Sequence, residues 1–351
     1  MAEADLKPEL SLPFHASEPM RVLVNRNHAI ESVHEVDVAL CDGDGQVILG
    51  LGDHEGVIFP RSAMKPLQAL SLVELWLDDQ QKDATMPPLV AQDLSLICAS
   101  HNGEPLHSEA VQSLLGKYHL SPDDLICGAH WSLDQDTLIS QVRGFDQPEK
   151  IHNNCSGKHA GMMILAHCLT GSATGYAASS HQAQQRILGV LDAMTGLDLM
   201  AFPQAVDGCG APVYSGPLGN WARAFALFAG GGYLPPLREQ ACVALRKAIA
   251  EKPFHMAGQN RACSAINAAF GERITVKVGA EGVYSAAFHD LGLGMMLKAR
   301  DGSKRGAEVA LGGVISALGY PIDPSLQPYF YPAVKNWAGD IVGQITLDKW
   351  H

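Results

Sequence analysis

Ser62-Ala63-Met64-Lys65 opens an apolar-rich segment that runs through Leu77 and reads as a helix. Pro66 falls in its first turn, where a missing N–H costs little. Taken alone, this run is no more than a serine cap on a solvent-facing helix. Two later runs change the reading: Ser100-His101-Asn102 and Lys277-Val278-Gly279. A serine hydroxyl is a poor nucleophile until a base takes its proton, and a lysine held neutral can be that base. A second lysine nearby disfavours protonation of the first. The three runs therefore predict paired Ser/Lys groups in one cleft, with acyl transfer as the reaction.

The flanks of these runs set the architecture. Strand-like runs cover Arg21 to Asn25, Val33 to Cys41 and Gln46 to Leu51, with the turn signal Asp42-Gly43-Asp44-Gly45 between the last two. Helical periodicity dominates the middle: Pro105 to Tyr118, Gly157 to Leu169, His181 to Met194, Leu218 to Phe228 and Leu237 to Glu251. Strands return at Ile274 to Val278, Val283 to Phe288 and Gly294 to Ala299, and Ala307 to Leu318 reads as a final helix. The expected fold class is α+β, an α/β sandwich. Strands from both ends form one antiparallel sheet covered by helices, and a central, mostly helical lobe faces it across a cleft. Residues 1–19 read as a flexible tail and 20–351 as one domain. Its sheet lobe is 20–61 with 272–351, and its helical lobe is 62–271.

Composition narrows the function. The 351 residues are nearly half hydrophobic and carry a net charge of -12. That charge argues against a nucleic-acid partner, since such proteins carry a basic stripe. No run reaches the ~18 apolar residues of a membrane span, so no membrane partner is expected. The N-terminus shows no secretory leader. Eight cysteines in a leaderless chain read as reduced thiols rather than a disulfide framework. A cytoplasmic location follows as the expectation.

The three opening runs echo, in the same order, the S-x-x-K, S-D-N and K-T-G elements of penicillin-recognising serine hydrolases. The sheet-plus-helical-lobe arrangement likewise resembles serine β-lactamases and glutaminases. Two cysteine runs then point to a narrower family: His152-Asn153-Asn154-Cys155-Ser156-Gly157-Lys158-His159 and Asp207-Gly208-Cys209-Gly210-Ala211-Pro212. With Arg61 to Pro66, Cys98 to Glu104 and Lys277 to Gly282, they make the chain resemble the rhizobial-type L-asparaginases, the asparaginase II family. The matching runs span about residues 60 to 285. Asn102 departs from the small hydroxyl residue common there.

The resemblance implies two Ser–Lys pairs, Ser62 with Lys65 and Ser100 with Lys277. It also implies zinc ligands at Cys155, Lys158 and Cys209. Two thiolates and a neutral amine can make a tetrahedral zinc site, although zinc must compete with a proton for the lysine. Ser62 is the expected nucleophile and Ser100 the alternative. Lys65, kept neutral by Lys277, is the expected base. Arg61 is a candidate for a substrate α-carboxylate, or else a structural ion-pair partner. Asp207 and Glu281 are candidates for the α-ammonium, and Asp207 alternatively for a zinc-bound water. His101 and His159 flank the key residues and could orient a ligand or a hydroxyl. Gly208, Gly210, Gly279 and Gly282 are candidate oxyanion donors or tight-turn residues. The implied activity is hydrolysis of L-asparagine by a homodimer. A glutaminase, a β-lactamase-like hydrolase and a zinc-dependent binding protein stand as alternatives.

Overall fold

The computed structural model describes residues 14–348. Four strands come first: β1 (Phe14–Ala16), β2 (Met20–Arg26), β3 (Ala29–Cys41) and β4 (Val47–Leu51). Two two-stranded ribbons follow in the middle of the chain, β5 (Val57–Ile58) with β8 (Gly216–Pro217), and β6 (Gln204–Val206) with β7 (Pro212–Tyr214). The last strands are β9 (Ile274–Gly279), β10 (Val283–Phe288), β11 (Leu293–Ala299), β12 (Ala333–Lys335) and β13 (Ile341–Leu347).

The expected sheet forms. Its path is β12-β13-β2-β3-β11-β10-β9, with β4 and β1 branching from β3. The two ends of the chain meet where β3 pairs antiparallel with β11, Ala39 opposite Met296. The other edge of β3 takes β2 along residues 29–36 and β4 along 38–41. The Asp42–Gly45 turn forms as read. Asp42 Oδ1 accepts the N–H groups of Asp44 and Gln46, and Gly45 takes the left-handed conformation at φ +88.

Between the sheet halves run α1 (Lys65–Lys82), α2 (Ala91–Ile97), α3 (Pro105–Lys117), α4 (Gln135–Gly144), α5 (Ser156–Thr170), α6 (Gln182–Thr195), α7 (Leu218–Ala229), α8 (Pro236–Glu251), α9 (Pro253–Ala257) and α10 (Ala262–Phe270). The last helix used below is α11 (Lys304–Ala317). The sheet is covered on both faces. On one, α11 packs on Tyr284 and His34, where Tyr284 Oη donates to Glu308 and His34 lies against Gly306. On the other, Gly294 lets the α7 backbone approach, and Cys41 donates to Gly219 O.

Three details differ from the sequence reading. Phe14–Ala16, inside the stretch read as tail, pairs in parallel with Leu49–Leu51; residues 1–13 lie outside the described region. Within the span read as the helical lobe, 62–271, α7 does not stand across a cleft but is buried on the sheet through Trp221, Phe225 and Phe228. Burial of such side chains is worth ~1.5–3 kcal/mol each, so α7 joins the two regions into one core. The hairpin β12–β13, absent from the sequence reading, extends the sheet beyond β2. Among the described residues, no helix is long and apolar enough to cross a membrane.

Candidate active site

Three separate elements bring the Ser and Lys groups together. Ser62 lies in a 3-10 turn, Arg61–Met64, that leads into α1. The turn is docked on the end of the sheet: Ser285 Oγ donates to Ala63 O, and Gly279 packs directly on the Pro60 carbonyl. A Cβ at position 279 would sit 2.6 Å from that oxygen. Gly279→Ala should therefore push β9 away from the Ser62 turn and cost ~1–3 kcal/mol of stability, with a fall in activity. An unchanged denaturation midpoint would show that the contact is not a constraint.

Ser100 follows α2 in an irregular stretch held by backbone bonds. Ser100 N–H donates to Met256 O, His101 N–H to Asn154 O and Asn102 N–H to Ala257 O. Lys277 stands on β9 opposite Ser285, so its side chain shares the sheet face that meets the Ser62 turn.

The two lysines converge on Ser100. Lys65 Nζ is 2.8 Å from Ser100 Oγ, and Lys277 Nζ is 2.9 Å from the same oxygen. Lys65 Nζ also donates to Ala99 O at 2.5 Å and to Cys155 Sγ at 3.2 Å. Its three N–H groups thus meet three acceptors, as an ammonium requires. Lys277 Nζ donates to Val278 O at 2.7 Å. Burial pushes the Lys277 amine down to about 7; Cys263 opposes the shift, and the charges of Lys65 and Arg261 add to it. A neutral Lys277 can accept the Ser100 proton while keeping its own bond to Val278 O. The Ser62 hydroxyl, half-buried, has no hydrogen bond to either lysine. The Ser62–Lys65 pair is therefore not formed in this structure, and burial holds Lys277 near neutrality.

The second constellation lies behind Lys65. The Cys155 and Cys209 thiols share a hydrogen bond, and Lys158 Nζ donates to Cys209 Sγ at 2.9 Å. The hydrogen bond from Cys209 holds the Cys155 thiol well below its ordinary range; burial opposes, and the Lys65 and Lys158 charges assist. Cys209 moves up, through the same bond and through burial. For Lys158, burial works against the charge, but the two sulfurs and Asp207 outweigh it. Among the described residues, no three His, Cys, Asp or Glu side chains converge as a metal site. The set read from the sequence has two thiols, with a lysine as third donor. All three groups are buried and meet at hydrogen-bond range, so the donor set fits a thiophilic divalent ion once Lys158 gives up a proton.

The remaining candidates divide. Arg61 and Asp207 find each other: Nη2 and Nε reach Asp207 Oδ1 at 2.8 and 3.1 Å. Arg61 is held at φ +51, a conformation that favours glycine and recurs at functional sites. Although burial opposes it, the Lys158 charge and the Arg61 bond hold the Asp207 carboxyl low. This pair ties the Ser62 turn to the β6–β7 hairpin that carries Cys209. The Gly208 N–H donates to Asp207 Oδ1 and the Gly210 N–H to Asp207 O, so neither is a free oxyanion donor. Gly282 is buried against Ala299 and Gly302.

His101 is buried, and both ring nitrogens are taken up within the protein. Its Nδ1 accepts the Gly103 N–H, so Nε2 carries the proton and donates to Ser156 Oγ at 3.0 Å. His159 meets Tyr176 Oη at 2.7 Å. Glu281 is exposed at φ +61, its carboxylate against Gly302, with no hydrogen bond to the Ser/Lys groups. Arg261 escaped the sequence reading. Its guanidinium donates to Asn102 Oδ1 at 2.7 Å, and its charge bears on Lys277. A lone arginine between helices carries no motif that would have revealed it.

A serine hydroxyl is held between two lysines at the end of the sheet that also docks the Ser62 turn. The chain belongs to the L-asparaginase II family, whose profile matches residues 22–347. No curated protein matches it in sequence. Among solved structures it is similar to Mglu in its native form, at 12% identity and a TM-score of 0.41, covering 82% of this chain and 66% of that one. A β-lactamase from Mycobacterium bovis matches at 12% identity and 0.41, covering 81% and 94%. A class C β-lactamase from Rhodobacter sphaeroides matches at 15% and 0.41, with the same coverage. The chain thus spans slightly less than two thirds of Mglu. Likeness at this level says nothing of substrate.

Proposed function

We propose that this protein is an L-asparaginase that hydrolyses the side-chain amide of L-asparagine to L-aspartate and ammonia. The observation that carries the reading is the Lys65–Ser100–Lys277 row, with two hydrogen bonds below 3 Å on one serine. Ser62 is the nucleophile, because its hydroxyl is uncommitted and half-buried, whereas Ser100 is enclosed between the lysines. The row supplies its base. Lys65 passes a proton to Ser100 as Ser100 passes its own to Lys277; Lys65 is then neutral and takes the Ser62 proton. Ser62 attacks the amide carbon, the reverse relay protonates ammonia as it leaves, and water cleaves the aspartyl ester.

The Arg61–Asp207 pair supports an amino-acid substrate. A zwitterion presents a carboxylate to Arg61 and an ammonium to Asp207, matching both charges. Zinc, if bound, would be held by Cys155, Lys158 and Cys209, its charge balanced by the two thiolates, and would supply a Lewis-acid centre beside Lys65. Cys209→Ser should lower zinc content from one ion per chain to well below one, as read by metal analysis of the purified protein. Full zinc content in that variant would remove Cys209 from the ligand set.

Ammonia release from L-asparagine against L-glutamine tests the function. Release from asparagine at the higher kcat/KM supports it. Preference for glutamine, or turnover of a chromogenic cephalosporin with neither amide cleaved, would overturn the substrate assignment. Thermal stabilisation by asparagine with no ammonia formed would make the protein a binder.

A further inference from the structure

A cavity of about 620 Å³ opens between the first turns of α3 and α4, outside the Ser/Lys site. This is the volume of a small-molecule pocket. Its charge is one-sided. Glu104, Glu109, Asp136 and Glu149 line it, and no lysine or arginine does. Leu106, Phe145 and Ile151 supply apolar wall, and Leu106 and Phe145 are large side chains left 44% and 45% exposed. The positive ends of α3 and α4 together offset only about one charge, against four carboxylates.

One polar group at the cavity lacks a partner. Ser108 lines the cavity at 8% exposure, but its unpaired hydroxyl is buried behind the wall. Glu104, also 8% exposed, uses Oε1 to hold the Asn102 amide and the Gln259 N–H. Its Oε2 makes no hydrogen bond; the nearest basic group is His107 Nδ1 at 3.9 Å. Burial pushes the His107 imidazole down to about 4, so it brings no charge near neutral pH. This oxygen opens on a cavity lined by no basic side chain, and a carboxylate on a largely buried side chain favours a cationic partner.

We propose that this cavity binds an aliphatic diamine or polyamine. One ammonium would reach Glu104 Oε2 on the floor. The methylene chain would lie along Leu106, Phe145 and Ile151. The other ammonium groups would meet Glu109, Asp136 and Glu149 at the exposed rim. Bound there, the ligand is two residues from Asn102 in the Glu104 hydrogen-bond network, and so next to the loop that carries Ser100.

Calorimetric titration of spermidine into the full chain tests the site. At about 0.15 M salt, diffuse attraction to an acidic surface is screened over ~8 Å, while a buried pair is screened less. The expected result is one saturable site per chain. It should weaken roughly three- to tenfold in Glu109→Gln/Glu149→Gln, which changes only exposed rim groups, and should be lost in Glu104→Gln. Amide-exchange protection on binding should centre on the first turns of α3 and α4. Absence of saturable binding to the native chain, or equal affinity in the native chain and the rim variant, overturns the proposal. The rim variant keeps the test valid if Glu104→Gln disturbs the Asn102 loop.

Discussion

Ser62→Ala should lower kcat for asparagine hydrolysis by about 10⁴-fold or more, as loss of a nucleophile does, with little change in the unfolding midpoint. The hydroxyl makes no hydrogen bond in the folded protein, so little structure depends on it. Ser100→Ala should cost less, roughly 10²- to 10⁴-fold, because it removes a proton relay rather than the attacking atom. It should also disturb the site more. Lys65 and Lys277 would lose the acceptor they share at 2.8 and 2.9 Å. Rapid quenching with asparagine, followed by mass mapping, separates the roles. A β-aspartyl adduct is expected on the peptide that carries Ser62. An adduct on the Ser100 peptide would reverse the assignment and make Ser62 an accessory hydroxyl.

Lys277→Met should remove activity, by about 10³-fold, while making the protein more stable. The amine is fully buried and pushed down to about 7, mainly by burial. Its neutral form is the base, so kcat/KM should rise as pH climbs through about 7 and then level off. Stability follows the same group with a definite sign. Between about 7 and the ordinary lysine range, the unfolded chain holds a proton that the folded chain lacks. Stability therefore rises with pH across that window, and below it the burial penalty is fully felt. Methionine carries no such penalty and has similar bulk. A gain of ~1–3 kcal/mol near pH 7 is expected, the usual sign when a buried charge gives way to a packed hydrophobe. Denaturation curves at several pH values check this. A pH–rate profile flat through 7, or a less stable Lys277→Met variant, would remove Lys277 from the base role.

Much of the fold was legible in the sequence, for identifiable reasons. Helices α5, α6, α7 and α8 each carry a long apolar period, and β10 and β11 are short apolar runs between glycine turns, so their bounds agree within a residue or two. The short helices α2, α4, α9 and α10 escaped, since five to ten residues hold too few turns for a period to show. The β12–β13 hairpin escaped as well. Its burial pattern lacks the alternation that marks a half-buried strand, and it forms because β2 offers an unpaired edge.

The sequence by itself determined the chemical equipment: two serines and two lysines in a recognisable order, two cysteines and a lysine that the family resemblance marks as candidate ligands, and a sheet assembled from both ends of the chain. These are local properties of residue type and spacing. Only the tertiary structure decided which groups touch. Positions 65, 100 and 277 are far apart in sequence and meet because β9, the α2 loop and the start of α1 converge at one end of the sheet. That convergence puts both lysines on Ser100 and leaves Ser62 unpaired. It also sets Arg61 against Asp207, and burial there holds Lys277 near neutrality. Burial and long-range packing set those outcomes, and neither is written in any single run of residues.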